Sequence, residues 1–233
     1  MAAMPFRLEI ALKDHLIDAE GEGLRQKART YFGFEIDRIR SVSVLTLDVD
    51  LTPEQLERIR KDIFTNPVIQ ISSYAPLAIG GDWFVWVGFR PGVRDNPGAT
   101  AVEAIEDLLR IRLGPGEAVY TSKRYCFSGP RLIRSEVETI ARELLANDII
   151  QQWRIWPRAE WSPQEGIGII VPKVRLDHAP TVTTVPIDGD ATLKEVSDAR
   201  HLALNPNDIP VIRAYFSDPR VRAGRAAVGL ADP

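Results

Sequence analysis

The run YTSKRY, residues 120–125, sets two cations, two hydroxyls and two aromatic rings into six consecutive positions. On a strand these side chains alternate, so Thr121, Lys123 and Tyr125 share one face while Ser122 and Arg124 share the other. Lys and Arg are the natural holders of anions, which makes Lys123, Arg124 and Tyr125 the candidates for binding a phosphate-bearing ligand or an acidic partner surface. The competing reading is a solvated strand laced by cross-strand pairs. A second pattern occurs twice. HLIDAEGEGLRQKART (15–30) and GVRDNPGATAVEAIED (92–107) each hold an Asp, a Gly three residues on, and then a helical stretch. Asp95 follows Asp18 by 77 positions, and Gly98 follows Gly21 by the same 77. An aspartate there could hold a ligand or a partner's amide. The simpler expectation is helix capping, because its carboxylate accepts the first free N–H groups and suits the positive helix end. Gly21 and Gly98 are then expected to serve the turn geometry.

Other chemistry is thin, and no catalytic or metal-ligating residue is expected. GPGEAVY (114–120) is glycine-rich but lacks the preceding strand, following helix and lysine of a phosphate-cradling loop. His15, His178 and His201 lie far apart, without a carboxylate or nucleophile at motif spacing. One cysteine, Cys126, excludes an intramolecular disulfide and a cysteine-based metal cluster. Trp83, Trp86, Trp153 and Trp156 are expected to pack in a core, with interface anchoring as the alternative.

The elements that would position these residues come in two series. FRLEIALK (6–13) alternates as a strand with one buried face, and WFVWVGFR (83–90) is apolar enough to be covered on both. Each runs into the Asp-x-x-Gly turn and a helix, and Ala101, Ile105, Leu108 and Leu109 form an apolar stripe in the second. Extended segments follow at 38–50 and 117–129, then helices at 52–64 and 133–145, with Thr52, Pro53 and Gln55 forming a capping signal. Short strands close both series, TNPVIQIS (65–72) lying over ANDIIQQW (146–153) at an offset of 81, which implies about four extra residues near the GPG turn. This order predicts an α+β fold: two tandem α/β sandwich repeats (4–80 and 81–158) with mainly antiparallel sheets, each sheet face covered by the other copy or another chain. Residues 159–233 read as a mixed linker region. It has two proline-broken strands within 165–187, helices at 190–202 and 205–216, and no closing element after 217.

Net charge of −3 and a pI near 5.7 give no electrostatic case for nucleic acid or an acidic membrane. The N-terminal MAAMPFRLEIALKDH is not a signal peptide, and no apolar run approaches the roughly 18 residues of a membrane span, so a cytoplasmic protein is expected.

The Asp-x-x-Gly turn between strand and helix, in LIDAEG and GVRDNPG, resembles the PurS family, the small subunit of bacterial phosphoribosylformylglycinamidine synthase (formylglycinamide ribonucleotide amidotransferase). VGFRPGVRDNPGATAVEAI, VYTSKRY and LLANDIIQQW are similar to fused enzymes that carry PurS-like halves ahead of the PurL synthetase body. HLALNPNDIPVIRAYF is similar to the run leading into that body. The resemblance covers residues 6–157 and, more loosely, 200–233. The synthetase signature of the Thr-Trp-Ser-Glu-His-Cys type, and the nucleotide-binding and glutaminase residues, are absent from the sequence. The resemblance implies a non-catalytic assembly and ammonia-channel module in de novo purine biosynthesis. It implies PurL-like synthetase and PurQ-like glutaminase partners, possible self-association, and no cofactor in this chain, with ATP and Mg2+ used by the complete enzyme. A tandem ACT-like regulatory domain, binding an amino acid or nucleotide between its halves, is the alternative.

Overall fold

The computed structural model describes residues 4–174 and 190–230, with the side chains of 190 and 191 left aside. The chain divides into two compact units, residues 1–175 and 176–233.

In the first unit one order of elements occurs twice. The first run is β1 (Phe6–Leu12), α1 (Ala19–Phe32), β2 (Arg38–Asp48), α2 (Pro53–Ile59) continued by a wider π-helical turn (Arg60–Phe64), and β3 (Gln70–Ser73). The second is β4 (Trp83–Phe89), α3 (Asn96–Leu109), β5 (Ala118–Ser128), α4 (Arg134–Ile140) with its own π-helical turn (Ala141–Leu145), and β6 (Gln151–Pro157). All six strands form one antiparallel sheet in the order β3-β1-β2-β5-β4-β6. The sheet is mixed with helices in an open α+β arrangement. β2 and β5 pair along their whole length, from Arg38↔Ser128 to Asp48↔Ala118, and Ser43↔Lys123 is the middle pair.

The two runs therefore join edge to edge through β2 and β5. The expected covering of one sheet face by the other copy does not occur. Nor does either half keep a core of its own. On the helical side, one cluster packs Leu24 and Ala28 of α1 with Val137 and Ile140 of α4, over Val85 and Phe127. The other packs Leu56 and Ile59 of α2 with Ala101 and Ile105 of α3, over Leu8, Leu47 and Val119. Each cluster draws on both halves, and the expected boundary at 158 falls inside the first unit, which runs to Arg175.

The opposite face is covered by chain without regular structure. Ala11, Val42, Val44, Phe84, Trp86 and Cys126 pack beneath Leu77, Ile79, Trp161 and Ile167. β1 is accordingly buried on both faces, against the one-faced reading of its alternation: Arg7 and Glu9 are inside. The tryptophans divide between the faces, Trp83 and Trp153 on the helical side and Trp86 and Trp156 on the other.

Asn66 and Asn147 build turns, where strand was expected. Each donates its backbone N–H to the side-chain oxygen of the Gln four residues on, at 2.8 and 2.9 Å. Each also accepts at its side-chain oxygen from the residue two on, at 3.0 Å in both cases. An Asx turn of this kind competes with a strand ladder, so β3 and β6 begin only at Gln70 and Gln151. The four extra residues of the second run also divide. β5 follows β2 by 80 positions where α3 follows α1 by 77, and α4 follows α2 by 81.

Thr52 caps α2 in a reciprocal capping box with Gln55. After Glu160 no strand occurs among the described residues. The strands expected within 165–187 fall partly on 165–174, which is irregular, and partly on 175–187, outside the described residues along with His178. The second unit contains α5 (Asp190–Arg200), α6 (Asp208–Ser217) and α7 (Pro219–Ala227). The last of these occupies the stretch read as lacking a closing element, with Asp218 accepting at its N-terminus and Pro219 opening it.

Gly21 and Gly98 have a different use from the turn freedom expected of them. Neither is among the positive-φ glycines. Both lie in the first helical turn, where the helix backbone meets a strand. A Cβ on Gly21 would sit 2.0 Å from the Ile39 carbonyl oxygen, and one on Gly98 would sit 2.2 Å from that of Val119. Gly23, two residues along α1, has open space around it. Gly98→Ala is therefore expected to cost about 3 kcal/mol by forcing α3 off the sheet. Gly23→Ala is expected to be neutral or stabilising by about 0.5 kcal/mol. Urea unfolding of the two variants measures the contrast.

Candidate functional site

The mid-line of the sheet's helical face, between the two apolar clusters, is polar. Asp18 caps α1 by accepting from the Gly21 N–H at 2.9 Å, and its other oxygen accepts from the backbone and hydroxyl of Ser41 at 2.6 and 2.8 Å. Asp95 does the same for α3, accepting from the Gly98 N–H at 2.7 Å and from the Thr121 backbone and hydroxyl at 2.5 and 2.9 Å. Each carboxylate thus ties a helix start to the central strand beneath it. Its oxygens are engaged within the fold, which favours the capping role over ligand binding.

Lys123 and Tyr125 meet one side chain that the sequence pattern did not single out, Glu20 in the first turn of α1. The Lys123 ammonium lies 2.5 Å from the Glu20 carboxylate, and the Tyr125 hydroxyl donates to it at 2.9 Å. Burial, with the adjacent Glu20 charge, pushes the Tyr125 phenol well above its ordinary value. The position 77 after Glu20 is Pro97, which offers no carboxylate. One side of the Ser43↔Lys123 pair is therefore filled by Glu20. The other side is open, a cavity of about 390 Å3 walled by Ser43, Leu45, Phe89, Pro97, Lys123 and Leu145.

Arg124 is not available to an external anion, and the sequence expectation is corrected for it. It points to the irregularly covered face and is fully buried. Its Nη2 donates to Glu9 Oε2 at 2.8 Å and to the Leu77 carbonyl at 3.1 Å, while Trp161 lies over the guanidinium at 5.3 Å from the ring centre. Glu9 also accepts from the Leu77 N–H at 2.8 Å and pairs with Arg7 at 3.3 Å. Arg7 in turn donates to the carbonyls of Glu165 and Gly168 at 2.7 and 2.8 Å. Burial lowers the Arg7 pKa, Glu9 opposes that, and Arg124 adds to it. This network fastens the two covering segments to the sheet. YTSKRY thus divides by strand parity, Lys123 and Tyr125 into a half-exposed seam and Arg124 into an internal lock.

The remaining candidates add little chemistry. Burial pushes the Cys126 thiol up to about 11, which leaves it unreactive. Among the described residues, no three His, Cys, Asp or Glu side chains gather where they could hold a metal ion, and no helix is long and apolar enough to cross a membrane.

Glu9→Gln leaves Arg7 and Arg124 in the interior without their shared counter-charge and is expected to cost about 3–5 kcal/mol. Lys123→Met, losing a half-exposed pair, is expected to cost under about 1 kcal/mol. Denaturant titration of both variants reads the difference. The raised Tyr125 pKa sets the direction of an alkaline effect. The unfolded chain releases the phenolic proton near pH 10 while the folded chain keeps it, so stability falls as pH rises past about 10. Tyr125→Phe is expected to make the unfolding free energy less steep between about pH 9 and 11. Tyr74, Tyr120 and Cys126, also raised by burial, supply the slope that remains. Compared with protein-family models and with curated proteins, the chain has no match in either.

Proposed function

We propose that the chain is a non-catalytic assembly module of phosphoribosylformylglycinamidine synthase, made of two PurS-like halves. Its job is to hold a PurL-like synthetase part and a PurQ-like glutaminase part together and to help enclose the path of ammonia between them. ATP and Mg2+ then serve the synthetase part. The observation that carries this reading is the β2–β5 ladder, centred on Ser43↔Lys123, which joins two runs of like elements into one sheet. A duplicated small subunit, permanently paired with itself, has this form. The engagement of Asp18, Asp95 and Arg124 within the fold agrees with a scaffold role.

Mixing the purified chain with candidate synthetase and glutaminase subunits on a sizing column tests the reading. Co-elution, with glutamine-dependent turnover that needs the chain, is the expected result. Separate elution and turnover indifferent to the chain would sink it.

The cavity of about 390 Å3 favours a second reading, an ACT-like regulatory domain. It opens beside the DNPG turn, where a ligand carboxylate would share the Lys123 ammonium with Glu20 and an apolar side chain would meet Leu45, Phe89 and Leu145. A saturable thermal shift of the isolated chain by an amino acid would favour this regulator over the assembly module.

A further inference from the structure

The irregularly covered face of the sheet holds two adjoining cavities, of about 380 and 340 Å3, within the first unit. They share the segment 78–81 and Arg158. Each volume already lies in the roughly 300–1,000 Å3 range of small-molecule sites.

The first cavity is basic. Arg38, Arg40 and Arg158 line it together with Asp14 and Asp82, an excess of one positive charge. Arg40 is its built member: its side chain is 4% exposed and is held by Asp14 Oδ1 and the Leu12 carbonyl, each at 2.5 Å. Arg38 and Arg158 are engaged more loosely. Their ion pairs, to Asp14 and Asp82, are both 3.9 Å long, beyond hydrogen-bond length. A ligand oxygen can therefore take up their donors without breaking a short pair.

The second cavity is apolar and aromatic, walled by Leu77, Ile79, Phe84 and Trp161, with Phe84 and Trp161 stacked at 4.0 Å between ring centres. Gly80 and Gly81 line both cavities and put no side chain between them. A Cβ at Gly80 would meet open space, whereas one at Gly81 would press to 3.0 Å from the Phe127 carbonyl. A free anion has no use for the aromatic compartment, and an apolar molecule has none for three arginines. The two chemistries side by side fit a ligand that carries both.

We propose that this double cavity binds a nucleoside monophosphate, with its phosphate on Arg38, Arg40 and Arg158 and its base in the compartment walled by Ile79, Phe84 and Trp161. Arginine forks suit the phosphate oxygens, and a flat base suits an aromatic wall. The site goes beyond the assembly reading and does not depend on it.

The test is a titration of AMP into the full chain, followed by calorimetry and by tryptophan fluorescence, with adenosine and inorganic phosphate as separate arms. Saturable AMP binding is expected, with fluorescence quenching and with either fragment weaker by about tenfold or more. Arg158→Glu changes a side chain that is 79% exposed, so the fold is kept, and it should weaken AMP by about tenfold or more. Arg58→Glu, on the exposed side of α2, should leave the affinity unchanged. The proposal is overturned by an absence of saturation, by adenosine or phosphate binding as tightly as AMP, or by Arg158→Glu binding as the parent does. No partner subunit enters the titration, so its failure leaves the assembly reading standing.

Discussion

The β2–β5 ladder is the constraint on which the rest of the first unit depends. Eleven residues of each strand pair in full register, and without that pairing each half would present a long open edge. The helices add a second requirement. Because α1 packs with α4 and α2 with α3, neither apolar cluster can close until both halves are in place. A half of this size buries only a limited share of its surface, and here the missing share is supplied across the ladder. The unit is best regarded as one cooperative body whose internal likeness lies in its parts.

The other face of the sheet is stabilised in a different manner. It lacks helices, so its covering segments have no regular apolar stripe with which to dock. Leu77, Ile79, Trp161 and Ile167 supply scattered apolar contacts, and buried charge adds to them. Arg124 and Arg7 share Glu9, and between them they hold the carbonyls of Leu77, Glu165 and Gly168. A buried pair of this kind adds little net stability over an apolar replacement, but breaking it leaves an uncompensated charge inside. The arrangement is thus better suited to fixing where the covering chain lies than to adding net stability.

Local signals in the sequence were legible, and long-range pairings were not. Thr52, Asp18 and Asp95 announce helix starts because capping depends on residues three or four positions away. The strand parity that sets Lys123 and Tyr125 apart from Arg124 is equally local. Glu20 was missed because it lies 103 positions from Lys123, with nothing in its helix to mark it from other first-turn acids. Glu9 was missed because a buried ion pair and a solvated face write the same alternation of polar and apolar residues. Gly21 and Gly98 were noticed for the right spacing and the wrong reason. A glycine kept for its missing Cβ looks the same in sequence as one kept for its turn.

Where the two runs differ says more about chemistry than where they agree. Asp18 and Asp95, Gly21 and Gly98, and the Asn66 and Asn147 turns keep the frame equivalent on both sides of Ser43↔Lys123. The departures fall at Glu20 against Pro97 and at Ser43 against Lys123, where one side becomes an ion pair and the other a cavity. On the far face, the basic and aromatic cavities are both lined by the joining segment 78–81 and by Arg158 just after β6. Equivalent positions in the two runs are separate residues of one chain, so each can differ without touching its counterpart. The open cavity beside Lys123 falls where the runs differ, because Glu20 fills one side of the Ser43↔Lys123 pair while Pro97 leaves the other unfilled.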